Sequence, residues 1–126
     1  WAKYNLEKGP VAVSSSAVID ELRRTQNLLG VEGAAQQADH ILGKVAKGLF
    51  DLGVRKFVVA GGETSGQVIN SLGIKNVEVS SFDNLSGGYC HQAGKNPVSF
   101  VLKAGAIGKE NFVFDALERM RMAERK

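Results

Sequence analysis

The sequence predicts a layered α/β domain with a mainly parallel sheet flanked by helices. Short apolar runs alternate with longer segments in which apolar residues recur every three or four positions. Glycine-containing loops directly follow two of the apolar runs, and there is no series of closely spaced hairpin turns. Strands that alternate with helices in this way are typical of a sheet with helices packed on its faces.

The first half of the chain contains two predicted strands and two predicted helices. Residues 11–13 are a short apolar run and predict a buried strand. Residues 17–29 and 34–52 each carry an apolar stripe at helical spacing, and the second is the clearest amphipathic helix in the sequence. Residues 57–60, Phe-Val-Val-Ala, are wholly apolar, as in a strand that is covered on both faces.

A third helix is predicted directly after the glycine loop that follows residues 57–60. Thr64 and Gln67 have the three-residue spacing of a capping box, in which the first side chain bonds the start of the helix. Gly73 suits the left-handed position after a helix end. These signals predict a helix over residues 65–72.

The last part of the chain contains two further predicted strands and a closing helix. Residues 77–80 alternate like an edge strand, and residues 98–102 predict another strand. Residues 83–97 between them are interpreted as a long polar connection. From residue 110 to the end, apolar residues again recur at helical spacing and predict a helix.

Composition excludes several classes of protein. The 126 residues suit one domain, and the net charge of +3 arises from basic residues interleaved with acidic ones, as in residues 20–24. We therefore expect no nucleic-acid partner. The single cysteine excludes an internal disulfide, and no apolar run approaches the ~20 residues of a membrane span. We expect no membrane partner and a reducing, cytoplasmic setting.

The first ten residues are interpreted as a linker. Residues 5–10 are polar for the most part and end in Gly9-Pro10, a pair that is typical of loops. The sequence begins with Trp1 and not with methionine. We therefore expect residues 1–10 to connect a missing amino-terminal domain to a domain that comprises residues 11–126.

The loop over Gly61–Gly66 could hold phosphate. A helix start offers free N–H groups and a partial positive charge, and glycines let a phosphate approach these groups closely. Gly61 and Gly66 have the separation of the two P-loop glycines, but Gln67 and Val68 stand where a P-loop has lysine and serine or threonine. The simpler alternative is that the glycines only turn the chain between strand and helix.

Two other loops also follow predicted strands. Loops at the carboxyl ends of parallel strands meet at one edge of a sheet. Residues 14–16, 61–66 and 103–108 could therefore line one crevice, although capping of the next helix alone would explain the serines in the first. Three loops that are rich in glycine and hydroxyl groups favour a nucleotide ligand.

Three segments together resemble the carboxyl-terminal nucleotide-binding domain of the four-carbon acid sugar kinase family. They are PVAVSSS, GVRKFVVAGGETSGQVINSLGI and FVLKAGAIGKENF, in this order, and the resemblance covers residues 9–120. It implies a Rossmann-like nucleotide-binding fold. It also implies an ATP- and Mg²⁺-dependent enzyme that phosphorylates the terminal hydroxyl of threonate, erythronate or a 3-oxo-tetronate. The sugar acid would be held by the missing amino-terminal domain, so this chain alone would be inactive.

The resemblance also implies which residues contact the nucleotide. The first loop would contact the nucleotide, the second its phosphates, and the third would complete the pocket, with Lys103 facing phosphate charge. The residues so assigned are Ser15, Ser16, Gly61, Gly62, Glu63, Thr64, Ser65, Gly66, Lys103, Gly105 and Gly108. Two departures from the family pattern are Ala104, where relatives often have serine, and residues 84–91, which replace a proline- and glycine-rich turn.

Several alternatives are left open by the sequence. Glu63 is either a magnesium-binding carboxylate or a solvated one near a helix start. Cys90-His91 suggests a nucleophile and base or a zinc site, but neighbouring residues in a strand point in opposite directions and the zinc ligands are too few. We assign no catalytic residue and no metal ligand. A non-catalytic α/β ligand-sensing or interaction domain with a degenerate pocket is the alternative function, and homo-oligomer formation is left open.

Overall fold

The computed structural model describes residues 1–15, 19–80, 88–104 and 109–124, and within these ranges the chain contains both helices and strands. In chain order the elements are α1 (Ala2–Leu6), α2 (Ile19–Leu29), α3 (Val31–Asp51), β1 (Lys56–Ala60), α4 (Gly62–Ser71), β2 (Glu78–Val79), β3 (Gly88–Gln92), β4 (Val98–Lys103) and α5 (Phe112–Glu124). The predicted α/β class is confirmed.

The described strands form one sheet in the order β1-β4-β3-β2. β1 and β4 are parallel, with Lys56 opposite Ser99 and Ala60 opposite Lys103. β3 is antiparallel to both β4 and β2, so the sheet is mixed where the sequence predicted a mainly parallel one. The reason is that residues 93–97 join β3 to β4 directly, and so short a connection can only link antiparallel strands.

β4 divides the core into two layers because its successive side chains point to opposite faces of the sheet. Phe100 is fully buried on the α3 and α4 face, where its ring lies 5.7 Å from that of Phe57. Val101 is fully buried on the α5 face. The first layer contains Ala46, Phe57, Val59, Val68, Leu72, Ile74, Cys90, Val98 and Phe100. The second contains Tyr89, Val101, Phe112, Ala116 and Met120.

Helix α5 buries the face that the sequence predicted. Phe112, Ala116 and Met120 recur every four residues and are all buried against the sheet. The Arg119 guanidinium lies 4.5 Å from the centre of the Tyr89 ring on β3. This cation–π contact adds to the apolar packing that holds α5 on the sheet.

Helices α3 and α4 pack closely because a glycine faces α4. Gly43 and Ala46 are the buried residues of α3. A methyl group added to Gly43 would come within 3.0 Å of Gln67 Cγ and would overlap the Ser71 hydroxyl. A side chain at position 43 would therefore force Gln67 and Ser71 to move or the two helices to separate.

The strand predicted over residues 11–13 is wrong. Residues 11–15 form neither helix nor strand in the structure, and Val13 is half-exposed. The reason is that a three-residue apolar run gains little unless a strand pairs with it, and β4 is the strand paired with β1 in the described sheet. Helix α2 forms as expected, but its apolar residues Leu22, Leu28 and Leu29 are exposed. No helix in the described ranges combines the length and apolar character of a membrane span.

Replacement of Gly43 by valine should destabilise the fold. We expect the free energy of unfolding to fall by about 1–3 kcal/mol, since the added side chain overlaps α4 where the helices cannot separate without losing core contacts. Urea denaturation followed by circular dichroism measures the change. Gly48→Val is the matched control, because Gly48 is exposed on the same helix with open space around it. Equal stabilities of the two variants would contradict the packing described here.

The Cys90 thiol should be slow to react in the folded protein. Cys90 is 4% exposed, and burial raises the pKa of its thiol above the ordinary value of 9.0, because an apolar setting disfavours the thiolate. We expect iodoacetamide at pH 8 to label the folded chain much more slowly than the urea-unfolded chain. The pKa of the Cys90 thiol is higher in the folded chain than in the unfolded chain. The neutral buried thiol therefore contributes to the free energy of unfolding below pH 9.0, and this contribution is lost as the pH rises further. Equal labelling rates would contradict the burial of Cys90.

Candidate functional site

The candidate site lies where β1 turns into α4. β1 ends at Ala60, and α4 begins at Gly62 with Gly61 as its N-cap residue. Gly61 has a φ of 112°, a conformation that side chains disfavour. A single residue thus connects the strand to the helix. The helix therefore begins directly at the carboxyl edge of the sheet.

The end of β4 lies beside the same turn. The Gly61 N–H donates a hydrogen bond to the Lys103 carbonyl oxygen, with an N–O distance of 2.8 Å. This bond continues the parallel ladder by one residue beyond β1. The structure therefore brings the second and third predicted loops together at one sheet edge, as far as the described residues extend. Gly105 and Gly108 lie outside those residues.

The first turn of α4 presents backbone donors. Ser65 is the first residue whose N–H bonds inside the helix, to the Gly61 carbonyl at 2.9 Å, and its buried hydroxyl donates to the same oxygen at 2.7 Å. The N–H groups of Gly62, Glu63 and Thr64 precede that bond and have no acceptor within the helix. These three donors and the helix dipole place a partial positive charge at the start of α4.

The capping box predicted for Thr64 is wrong. Gly61 is the N-cap residue, and α4 starts three residues earlier than expected. The Thr64 hydroxyl instead donates a hydrogen bond of 2.5 Å to the Asp39 carboxylate on α3. A carboxylate is a stronger acceptor than the groups within α4, and the packing of α3 on α4 places it within reach. No motif in the sequence marks Asp39, because only that packing brings it to the site.

Two glycines leave one side of α4 open. Gly62 and Gly66 are exposed and four residues apart, so they lie on the same helix face. A methyl group added to either would meet no atom within 4 Å in the described part of the chain. Neither has a positive φ. The described fold therefore does not require glycine at these two positions, unlike at Gly61.

The other predicted site residues are dispersed or lie outside the described ranges. Glu63 is exposed in the first turn of α4. Ser15 is exposed, and no hydrogen bond within the described residues joins it to α4. Ser16 is not among those residues. The Lys103 ammonium lies on the α5 side of the sheet, where it donates to the Ala104 carbonyl at 2.9 Å and lies 5.7 Å from the centre of the Phe112 ring.

Cys90 and His91 do not form a nucleophile and base pair. Cys90 belongs to the core layer under α3 and α4, and its raised pKa disfavours the reactive thiolate. The His91 side chain points to the opposite face of β3, and its Nε2 lies 3.4 Å from the exposed Glu78 carboxylate. Within the described ranges, no group of three or more His, Cys, Asp or Glu side chains could hold a metal ion.

A cavity lies at the other end of the sheet, away from the candidate site. This cavity of about 260 Å³ is lined by Asn76, Val77, Glu78, His91, Gln92 and Ala93. β3 pairs Gln92 with Val98, the first residue of β4, so the cavity lies at the amino end of β4 and away from Gly61. The Glu78 carboxylate in its wall disfavours an anionic ligand.

Comparison with known proteins identifies the family of this chain. A family model described as a nucleotide-binding C-terminal domain matches residues 1–113. The 3-oxo-tetronate kinase of Burkholderia multivorans is 38% identical over 111 residues, which are 88% of this chain and 26% of the kinase. The 3-oxo-tetronate kinase of Pseudomonas savastanoi is 36% identical over 110 residues, or 87% and 26% of the two chains. The chain thus spans about a quarter of the length of these curated relatives.

A solved structure has the same fold. It is that of a Salmonella typhimurium LT2 protein whose name points to a tRNA synthase, and it superposes with a TM-score of 0.68 and 33% sequence identity. The superposition covers 85% of this chain and 26% of the Salmonella chain. The resemblance stated from the three sequence segments is confirmed by the family model and by the kinase relatives. The chain belongs to the nucleotide-binding carboxyl-terminal domains of the four-carbon acid sugar kinase family.

Proposed function

We propose that this chain is the ATP-binding domain of a kinase that phosphorylates a four-carbon sugar acid at its terminal hydroxyl. The observation that carries the proposal is the open first turn of α4, with its three backbone donors and the end of β4 beside it. The kinase names of the relatives support the reaction class. The sugar acid is held by the amino-terminal domain. The chain by itself therefore binds nucleotide but does not catalyse phosphoryl transfer.

The phosphates of the nucleotide occupy the space before Gly62, Glu63 and Thr64. Each hydrogen bond from a backbone N–H to a phosphate oxygen is charge-assisted and contributes ~1.5–3 kcal/mol. A micromolar dissociation constant corresponds to about 8 kcal/mol, and ordering of the ligand offsets part of the gross interaction. All three donors are therefore needed, together with contacts from Ser15 or Ser16 and from residues 105–108.

The two exposed glycines support a ligand that approaches the helix backbone. Glycine within a helix costs roughly 0.5–1 kcal/mol relative to alanine. Gly66 lies inside α4, and no packing within the described structure offsets this cost there. Gly62, the first residue of α4, likewise has no neighbour within 4 Å of the position where a methyl group would lie. A phosphate that contacts the backbone does explain it, because a side chain on this face would occupy the space of the ligand.

Catalysis in the assembled enzyme depends on position and charge. The free N–H groups in the first turn of α4 stabilise the negative charge that moves onto the leaving phosphate oxygens as the terminal phosphoryl group departs. Magnesium, when bound with the nucleotide, neutralises part of the phosphate charge.

The single buried thiol is in keeping with a reducing, cytoplasmic setting.

Replacement of Gly62 by valine should abolish nucleotide binding and leave the fold intact. The new side chain would project into open space and would block the approach to the backbone donors. Calorimetric titration with ADP and Mg²⁺ measures the loss, and circular dichroism checks the fold. Gly48→Val, at an exposed position near the end of α3, should bind like the wild type. Wild-type protein that shows no heat and no chemical-shift change at millimolar nucleotide would favour a non-catalytic domain with a degenerate pocket.

Replacement of Gly66 by alanine should raise stability and lower nucleotide affinity at once. Alanine in this helix position should add roughly 0.5–1 kcal/mol to the free energy of unfolding, since the methyl group meets no neighbour in the described structure. The same methyl group lies on the face that the nucleotide approaches. Thermal unfolding without ligand and calorimetry with ADP measure the two effects. A variant that is more stable and binds ADP as tightly as the wild type would show that the ligand does not contact this face.

A further inference from the structure

Three large apolar side chains are exposed where α2 meets α3. Leu28, Leu29 and Val31 are 79%, 53% and 69% exposed, and Gly30 alone separates the two helices. Residues 25–31 carry no charged side chain. Single exposed apolar residues are ordinary on a protein surface, but here three lie within four positions of the chain. We call the surface formed by Leu28, Leu29 and Val31 the α2–α3 corner.

The apolar surface continues along α2. Leu22 precedes Leu29 by seven residues, or about two helical turns, so both lie on one face of the helix. Leu22 is 44% exposed, although α2 packs on α3. A helix with an apolar stripe gains most of its stability when that stripe is buried against another element. The stripe therefore indicates a contact that the described residues do not supply.

The α2–α3 corner projects beyond the start of α4. Asp39 of α3 bonds Thr64 of α4, and Gly43, later on α3, faces Gln67, later on α4. The two helices therefore run in the same direction. Eight residues of α3 precede Asp39, whereas two residues of α4 precede Thr64. At 1.5 Å per residue, α3 extends roughly 9 Å past the start of α4.

This end of α3 lies on the side of the sheet where the nucleotide phosphates are proposed to bind. α4 begins at the carboxyl edge of the sheet, directly after β1. Phosphoryl transfer requires the acceptor hydroxyl to come within roughly 3–3.5 Å of the terminal phosphate. In the proposed kinase, the domain that holds the sugar acid must therefore approach this same edge, beside the α2–α3 corner.

The comparisons leave ample chain for such a domain. The chain spans about a quarter of its curated kinase relatives, and the matching family is described as a C-terminal domain. Three-quarters of those relatives thus lie outside the match. The buried centre of an interface is depleted in charged residues, and the uncharged run over residues 25–31 has that character.

We propose that the α2–α3 corner, together with Leu22, is the surface on which the amino-terminal sugar-acid domain docks. The inference rests on the proposed function, because it is the acceptor domain of a kinase that has to meet this edge. The docked domain covers the exposed leucines and Val31 with an apolar surface of its own. The contact holds the two domains together next to the phosphates and takes no part in the chemistry.

Cysteine labelling measures whether the corner is covered in the complete kinase, which includes the amino-terminal domain. Leu29→Cys is compared with Leu52→Cys, because the two leucines are 53% and 51% exposed and lie near opposite ends of α3. N-ethylmaleimide is the probe, and peptide mass spectrometry separates these sites from the buried Cys90. In the complete kinase, we expect Leu29→Cys to be labelled roughly 10-fold more slowly than in the 126-residue chain, and Leu52→Cys at the same rate.

Amide hydrogen exchange of residues 19–29 gives a second readout. We expect these amides to exchange roughly 10-fold more slowly in the complete kinase than in the 126-residue chain. Leu29→Gln should remove most of this protection and Leu52→Gln none of it, since the contact would bury a polar amide at position 29. In the 126-residue chain, Leu29→Gln should exchange like the wild type, because the side chain is exposed there.

The outcomes separate the possible occupants of the corner. Equal labelling of Leu29→Cys in the two proteins, or equal exchange of α2, would overturn the inference while ADP binding and the proposed function stand. Slow labelling in a 126-residue chain that sediments as a dimer would assign the corner to a second copy. Slowing by ADP in the 126-residue chain would assign it to the nucleotide site. Either result would overturn the inference.

Failure of the proposed function has a different signature. It would appear as wild-type protein that binds no ADP, whatever the labelling rates are. If Leu29→Cys were still protected in the complete protein, the contact between the domains would stand and its link to phosphoryl transfer would be refuted.

Discussion

The parallel pairing of β1 with β4 is the constraint on which the candidate site depends. Its continuation, the hydrogen bond from the Gly61 N–H to the Lys103 carbonyl, joins two segments that are separated by 42 positions in the numbering of the chain. The pairing is held by side chains on both faces of β4, with Phe100 packed under α3 and α4 and Val101 under α5. Because the two strands are parallel, their carboxyl ends lie side by side at one edge of the sheet.

The direction of α4 is set by contacts that lie away from the site. The helix starts immediately after β1, so its first turn cannot move relative to the sheet edge without a change at Gly61. Gly43 lets α3 approach α4 closely, and the bond between Asp39 and Thr64 connects the same two helices at the other end of α4. The free N–H groups are therefore held in place before any ligand arrives, which reduces the entropy lost on binding.

Stability and binding make opposite demands on the exposed side of α4. The inward side contains Ser65 and Val68, which are buried, and the Ser65 hydroxyl donates a hydrogen bond to the Gly61 carbonyl oxygen. The outward side carries Gly62 and Gly66, where the described structure leaves open space and helix propensity favours almost any other residue. A site that binds through backbone amides must accept this loss, because a side chain would occupy the space of the ligand. In the proposed nucleotide site, this contrast separates the ligand-facing side of α4 from the side that packs in the core.

The sequence by itself determined the parts of this protein that depend on local pattern. Apolar periodicity predicted β1, β4 and α5, including the burial of Phe112 and Met120, and three motifs together predicted the family. The sequence could not predict β3, because its polar ends resemble a loop until β4 and β2 pair with it. Nor could it predict the exposure of α2, since an apolar stripe does not specify what covers it. The bond between Asp39 and Thr64 was decided only by the tertiary structure, because it depends on how two helices pack and no local rule encodes a contact across 25 residues.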